Sequence, residues 1–127
     1  MKINLVFYAF IMCVFLFSCA TVESRKMNVN IETEDSSPIL RFENVRVAST
    51  DSTITVKGSM RAVIRSTIPG HVDITLLSPE GDVLHALSAD IHRLKYKSRD
   101  YHFHAEVPVV LPENSTVEIV YHRRAHY

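Results

Sequence analysis

The sequence predicts an all-β protein, a small antiparallel β-sandwich that follows an N-terminal signal segment. From residue 39 onward, apolar and polar residues alternate with a period of two, and these segments are rich in β-branched residues. Short polar turns separate the segments, and no helical stripe of apolar residues competes with them. A chain of 127 residues has the length of one such domain.

The first strand is predicted in "ILRFENVRV" at 39–47, with Leu40 and Phe42 on its inner face. Its alternation breaks at Glu43-Asn44, which predicts a bulge. The polar turn "STDS" at 49–52 then ends this strand.

The second strand is predicted in "TITVKGSMRAVIRS" at 53–66, with Ile54 and Val56 facing inward. Gly58 interrupts this segment and predicts a bend or a bulge there. The turn "IPG" at 68–70 closes it.

A hairpin is predicted next. In "HVDITLL" at 71–77 the inward residues are Val72, Ile74 and Leu76. "SPEG" at 78–81 has the residue preferences of a type I turn, and it predicts a return strand in "DVLHAL".

The final pair of strands is predicted in 99–111 and 115–122, joined by the polar turn "PENS". Six to eight such strands resemble an immunoglobulin-like or fibronectin-like sandwich, although the cysteines and tryptophan of antibody domains are absent.

The N-terminus carries the clearest localisation signal. Lys2 precedes an unbroken apolar run from Leu5 to Phe17, which is shorter than the roughly 20 residues that span a bilayer and suits the core of a signal peptide. The run ends in Leu16-Phe17-Ser18-Cys19, which resembles the lipobox of bacterial lipoproteins. The resemblance implies cleavage before Cys19 and attachment of acyl chains to this residue.

This resemblance implies a bacterial cell-envelope protein held to the membrane by lipid. Ala20, in place of an aspartate, resembles an address for the outer membrane, facing the periplasm. The predicted organisation is a signal peptide at 1–18, a lipidated N-terminus and flexible tether at 19–38, and the sandwich at 39–127. A short early strand within the tether, in "MNVNIET", is an alternative.

The composition of the chain limits the classes of function that we expect. Lys plus Arg total 14 and Asp plus Glu total 14, which gives no reason to expect nucleic acid as a partner. Cys13 leaves with the signal peptide and Cys19 is lipidated, so no thiol remains as a nucleophile or ligand. No GxSxG elbow occurs, and we do not expect an enzyme.

The histidines of the last two strands indicate a candidate metal site. If the last two strands pair, His102, His104 and His122 share one outward face, with His126 near them. Imidazoles at that spacing suit zinc or copper. The alternatives are a solvated strand face, which the adjacent Arg123 favours, and a pH-responsive surface.

A basic stripe lies in "RLKYKSR", where Arg93, Lys95, Lys97 and Arg99 are spaced two apart. If the segment is extended, all four point one way and suit anionic head groups or other envelope anions. The alternative is an edge strand that charge protects against sheet-to-sheet pairing.

The sequence therefore favours a membrane-tethered envelope lipoprotein that acts as a binding or assembly module, with an envelope protein as its expected partner. The alternative function is a periplasmic protein that binds copper or zinc.

Overall fold

The computed structural model describes residues 25–34, 38–64 and 70–123. This part of the chain contains nine strands: β1 (Arg25–Lys26), β2 (Asn30–Glu34), β3 (Leu40–Ser49), β4 (Ile54–Ala62), β5 (Gly70–Leu77), β6 (Val83–Asp90), β7 (His92–Arg93), β8 (Asp100–Val107) and β9 (Thr116–Arg123).

The strands form two sheets that pack face to face. Sheet A has the order β1-β3-β4-β8-β7, and sheet B has the order β2-β9-β5-β6. The predicted all-β sandwich is confirmed. The orders β3-β4-β8-β7 and β9-β5-β6 correspond to strands A-B-E-D and F-C-C′ of an immunoglobulin-like sandwich. β2 takes the place of the last strand, and it runs parallel to β9.

The core follows from the alternation of the strands. Buried apolar side chains from both sheets form one cluster, and the predicted inward residues of β4 and β5 are almost fully buried. The largest fully buried side chains are Tyr121, Phe103, Leu40, Ile54, Met60, Ile74, Leu76 and Ile119. The outer faces of both sheets are consequently left for polar residues.

The bulge predicted at Glu43-Asn44 is confirmed. The register between β3 and β4 shifts between Phe42 and Asn44, so Glu43 is the extra residue. Of the two alternatives predicted at Gly58, the bulge is wrong, because Gly58 pairs in continuous register with Val45 and with Phe103. The bulge belongs to the neighbouring strand instead.

The hairpin between β5 and β6 is confirmed. The amide of Gly81 donates to the carbonyl of Ser78 at 3.0 Å, and the amide of Ser78 donates to the carbonyl of Asp82 at 2.8 Å. Gly81 has a φ of 93°, a left-handed conformation that glycine adopts without steric cost.

The prediction that β8 and β9 pair with each other is wrong. β8 pairs with β4 and β7 in sheet A, whereas β9 pairs with β5 and β2 in sheet B. The connection that contains "PENS" therefore crosses between the sheets, and Leu111 within it is buried in the core. The predicted inward and outward residues of β8 and β9 are correct, because the alternation of side chains is a local property of each strand. The choice of pairing partner is not local, and it cannot be read from this alternation.

The sandwich begins earlier in the chain than the predicted boundary at residue 39. β1 pairs with the end of β3, through Arg25 opposite Ser49, and β2 pairs with β9 along its full length. The prediction of a flexible tether is therefore wrong for residues 25–34, and the alternative of an early strand is confirmed by β2.

Candidate functional site

The outer face of sheet A carries two pairs of cations that lie directly opposite each other on β3 and β4. Arg41 is opposite Arg61, and Arg46 is opposite Lys57. All four side chains are exposed, because they alternate with the buried residues of both strands. Like charges at directly opposed positions destabilise a strand pair. We call this surface the cationic face.

One of these pairs extends into a row across three strands. Lys57 is opposite His104 on β8, so Arg46, Lys57 and His104 stand side by side. A shallow depression of about 420 Å³ surrounds the row. Its lining residues are Asn44, Arg46, Lys57, Gly58, Ser59, His102, Phe103 and His104. Among these described residues none is acidic, so the depression suits an anion.

His102 occupies the next row of the same depression. It lies opposite Ser59 on β4 and opposite His92 on β7, and the rings of His92 and His102 are 5.8 Å apart. The Nδ1 atom of His102 is buried and has no hydrogen-bond partner in the described part of the chain. A buried polar atom without a partner is costly.

The carboxylates of this face leave its four cations unpaired. Glu106 lies 3.4 Å from His104, and Asp100 is opposite Arg61 in the register. Within the described residues, every ion pair within 4.0 Å has a histidine as its cationic partner. None of the ion pairs among the described residues therefore involves the four cations of this face.

The predicted basic stripe does not form an extended row. Arg93 ends β7, and its guanidinium lies over the ring of Tyr101 and donates to the Tyr101 hydroxyl at 3.0 and 3.3 Å. Lys95 and Lys97 lie in the β7–β8 turn, where the amide of Ser98 donates to the Lys95 carbonyl and Lys97 has a φ of 62°. Arg99 follows this turn. The four side chains therefore do not share one direction.

The outer face of sheet B carries a pair of opposed carboxylates rather than pairs of opposed cations. Glu32 on β2 is opposite Glu118 on β9. On β5, Asp73 lies 3.5 Å from His71 and 3.1 Å from His122, and it accepts a hydrogen bond from Ser88. The rings of the two histidines are stacked, with their centroids 5.5 Å apart.

The four histidines predicted to share a metal site are separated by the fold. His102 and His104 lie on sheet A and His122 lies on sheet B, because β8 and β9 do not pair. His126 lies outside the described residues. Among the residues that the structure describes, no group of three or more His, Cys, Asp or Glu side chains is placed to hold a metal ion.

No known protein family, curated protein or solved structure matches this chain.

The lipidation site predicted at Cys19 lies outside the described residues. Within the described ranges, no helix has the length and hydropathy needed to cross a bilayer.

Sequence reasoning missed Arg46 and Lys57 as site residues, although it identified the strands that carry them. Their outward parity can be read from the alternation around Val47 and Val56. Their alignment with His104 depends on β4 pairing with β8, across more than 40 residues of sequence. One feature of the sequence could have identified them: both strands of the predicted β3–β4 hairpin carry cations at outward positions.

Proposed function

We propose that this chain is a lipid-anchored protein of the bacterial cell envelope, and that its sandwich binds an anionic ligand through the cationic face. The observation that carries this proposal is the row formed by Arg46, Lys57 and His104 around a depression without acidic residues. The expected location is the outer membrane, facing the periplasm. The domain would act there as a binding or assembly module.

The anchor is supported by the N-terminal sequence. The apolar run from Leu5 to Phe17 is too short for an ordinary membrane span, and it leads directly into the Ser18-Cys19 step that resembles a lipobox. Two or more acyl chains hold a protein stably on a membrane, at about 0.8 kcal/mol for each buried methylene.

The repulsion between the opposed cations of β3 and β4 supports an anionic ligand. A hairpin gains nothing from opposed cations, yet Arg41 with Arg61 and Arg46 with Lys57 occur in the same pair of strands. An anion that bridges such cations offsets their repulsion and gains charge-assisted hydrogen bonds. His102 lines the same depression and adds an imidazole to it.

The anchor is tested by expressing the full chain in bacteria that are fed an alkyne-tagged fatty acid. We expect the tag on the mature chain, which then sediments with membranes. The Cys19→Ser variant loses the tag, and the Cys13→Ser variant keeps it because Cys13 is removed with the signal peptide. Labelling that survives Cys19→Ser, or a chain that retains Met1, contradicts the proposal.

Anion binding is tested by titrating the purified mature chain in detergent with pyrophosphate and following amide shifts by NMR. We expect saturable shifts centred on β4 and β8. The Arg46→Thr/Lys57→Thr variant loses them, and threonine suits a strand position. The Lys95→Asn/Lys97→Asn variant removes the same charge from the β7–β8 turn and should still bind, because asparagine tolerates the positive φ at position 97. Equal losses in both variants would indicate only a net-charge effect.

An envelope protein with an acidic surface is the competing partner for the cationic face. Crosslinking in intact cells, followed by purification in detergent, distinguishes it. A stoichiometric protein partner whose capture depends on Arg46 and Lys57 would replace the small anion as the ligand.

A further inference from the structure

We propose that the ligand of the cationic face is the anionic surface of the membrane that holds the lipid anchor, so that the sandwich lies with sheet A and its β3 edge against the head groups. This inference rests on the proposed function, because it requires both the anchor at Cys19 and an anion-binding cationic face. It adds the identity of the partner and the orientation of the domain.

The length of the chain keeps the anchor beside β3. Six positions separate Cys19 from Arg25, where β1 begins. A fully extended segment of this length spans at most about 20 Å. β1 pairs with Ser49 and Ala48 at the end of β3, so the chain joins the domain at the edge of sheet A. The point where the chain enters the domain, at the edge of sheet A, is therefore held within this distance of the anchor.

The same edge carries an apolar groove of about 640 Å³. Its lining residues are Met27, Asn28, Val29, Ile31, Val45, Arg46, Val47 and Ala48. Ile31 is 40% exposed, and Arg46 lines both this groove and the depression on the cationic face. Apolar side chains next to cations suit the boundary between head groups and acyl chains, where both kinds of contact are available.

The charge of sheet B explains why the domain should adopt a single orientation on the membrane. The strands of sheet B carry acidic side chains on their outer face, including the opposed pair of Glu32, which is exposed, and Glu118, which is half-buried. Packed sheets lie about 10 Å apart, which is close to the Debye length at about 0.1 M salt. An anionic surface therefore attracts sheet A while repelling sheet B, even though the whole chain has almost no net charge.

A second copy of the chain is the competing occupant, because its acidic face is also complementary to the cationic face. The anchor favours the membrane over this alternative. It places every copy beside head groups continuously, whereas contact with a second copy depends on the density of the protein in the membrane. The two occupants therefore differ in their dependence on lipid charge and on protein density.

The test uses the lipidated full-length product reconstituted into vesicles. Its only thiol after processing is Cys19, which is acylated, so one introduced cysteine can carry a spin label. Thr55→Cys places the label on the outer face of sheet A, and Thr75→Cys places it on the outer face of sheet B. Relaxation by a lipid with a gadolinium-chelate head group then reports how close each label lies to the membrane.

We expect strong relaxation at position 55 in vesicles that contain phosphatidylglycerol, weak relaxation there in pure phosphatidylcholine, and weak relaxation at position 75 in both. The Arg46→Thr/Lys57→Thr variant should lower the ratio of docked to undocked chains by about thirtyfold, and high salt should act in the same direction. The Glu32→Gln/Glu118→Gln variant changes two charges on the opposite face and should keep the contact.

Equal relaxation at positions 55 and 75 in anionic vesicles would overturn the inference, as would docking that persists in the Arg46→Thr/Lys57→Thr variant. Contacts that appear in neutral vesicles and increase with protein density would assign the face to a second copy. If pyrophosphate binds while position 55 stays remote, the membrane inference fails and the proposed function stands. A chain that is not acylated would overturn the proposed function itself.

Discussion

Gly58 on β4 lies directly opposite Phe103 on β8, and the Phe103 ring fills the space that a side chain on Gly58 would need. Phe103 is 1% exposed, and its ring also makes an edge-to-face contact with Phe42 at a centroid distance of 6.2 Å. A Cβ atom at Gly58 would overlap this ring. The glycine is therefore required by the packing of two aromatic rings under the floor of the candidate site.

The first prediction concerns this packing. Gly58→Ala should lower the free energy of unfolding by about 1–3 kcal/mol, the usual cost of overpacking a core. Urea denaturation measures the effect. Gly58→Ala should cost less stability in a chain that already carries Phe103→Leu than in the unmodified chain, because the smaller leucine side chain makes room for the added Cβ atom. Independent, additive effects of the two substitutions would contradict the steric explanation.

Gly58 also illustrates how far the sequence alone leads. A glycine in a strand pattern is compatible with a bulge or with close approach of another group, and only the identity of the residue opposite it decides between them. That residue, Phe103, is 45 positions away in the chain. The bulge at Glu43 could be predicted because it interrupts a local pattern of alternation.

The histidines follow the same rule. The outward direction of His102, His104 and His122 could be predicted from parity within each strand, because their neighbours Phe103 and Tyr121 are apolar. Their grouping could not, because it depended on whether the chain between β8 and β9 forms a hairpin or crosses to the other sheet. A connection of eight residues is compatible with either arrangement.

The second prediction separates function from stability on the cationic face. Lys57→Thr should weaken pyrophosphate binding by about fivefold, as expected for the loss of one cation. It should leave the free energy of unfolding unchanged or raise it by a few tenths of a kcal/mol, because it removes the repulsion from Arg46. Calorimetric titration and urea denaturation of the same sample measure the two effects. A parallel loss of binding and stability would indicate that Lys57 has a structural role instead.

The third prediction concerns the N-terminal strands. A truncated chain that begins at Pro38 lacks β1 and β2, so it loses the parallel ladder from Asn30 to Glu34 and exposes the edge of β9. We expect a lower urea midpoint and concentration-dependent association, measured by denaturation and light scattering. A chain that begins at Glu23 keeps both strands and serves as the control. Identical behaviour of the two chains would show that β2 contributes nothing to the sandwich.

The fourth prediction concerns alkaline pH. Burial raises the pKa of Tyr121 above its ordinary value of 10.0, the positive charge of Arg123 partly opposes this effect, and Tyr101 adds to it. The folded chain therefore keeps the Tyr121 proton at a pH where the unfolded chain releases it. Stability from this group is fully present below pH 10 and is lost as pH rises through the folded pKa, with a slope of at most about 1.4 kcal/mol per pH unit.

Urea denaturation between neutral pH and about pH 11 measures this loss, and the Tyr121→Phe variant should lack this component of the decline. Its stability at neutral pH should fall only modestly, because the ring that fills the core is retained. The control is Tyr96→Phe, since Tyr96 is 88% exposed and its replacement should leave the alkaline decline unchanged. Phenylalanine has no hydroxyl to ionise. If stability declines equally with pH in Tyr121→Phe and in the unmodified chain, groups other than Tyr121 cause the alkaline unfolding.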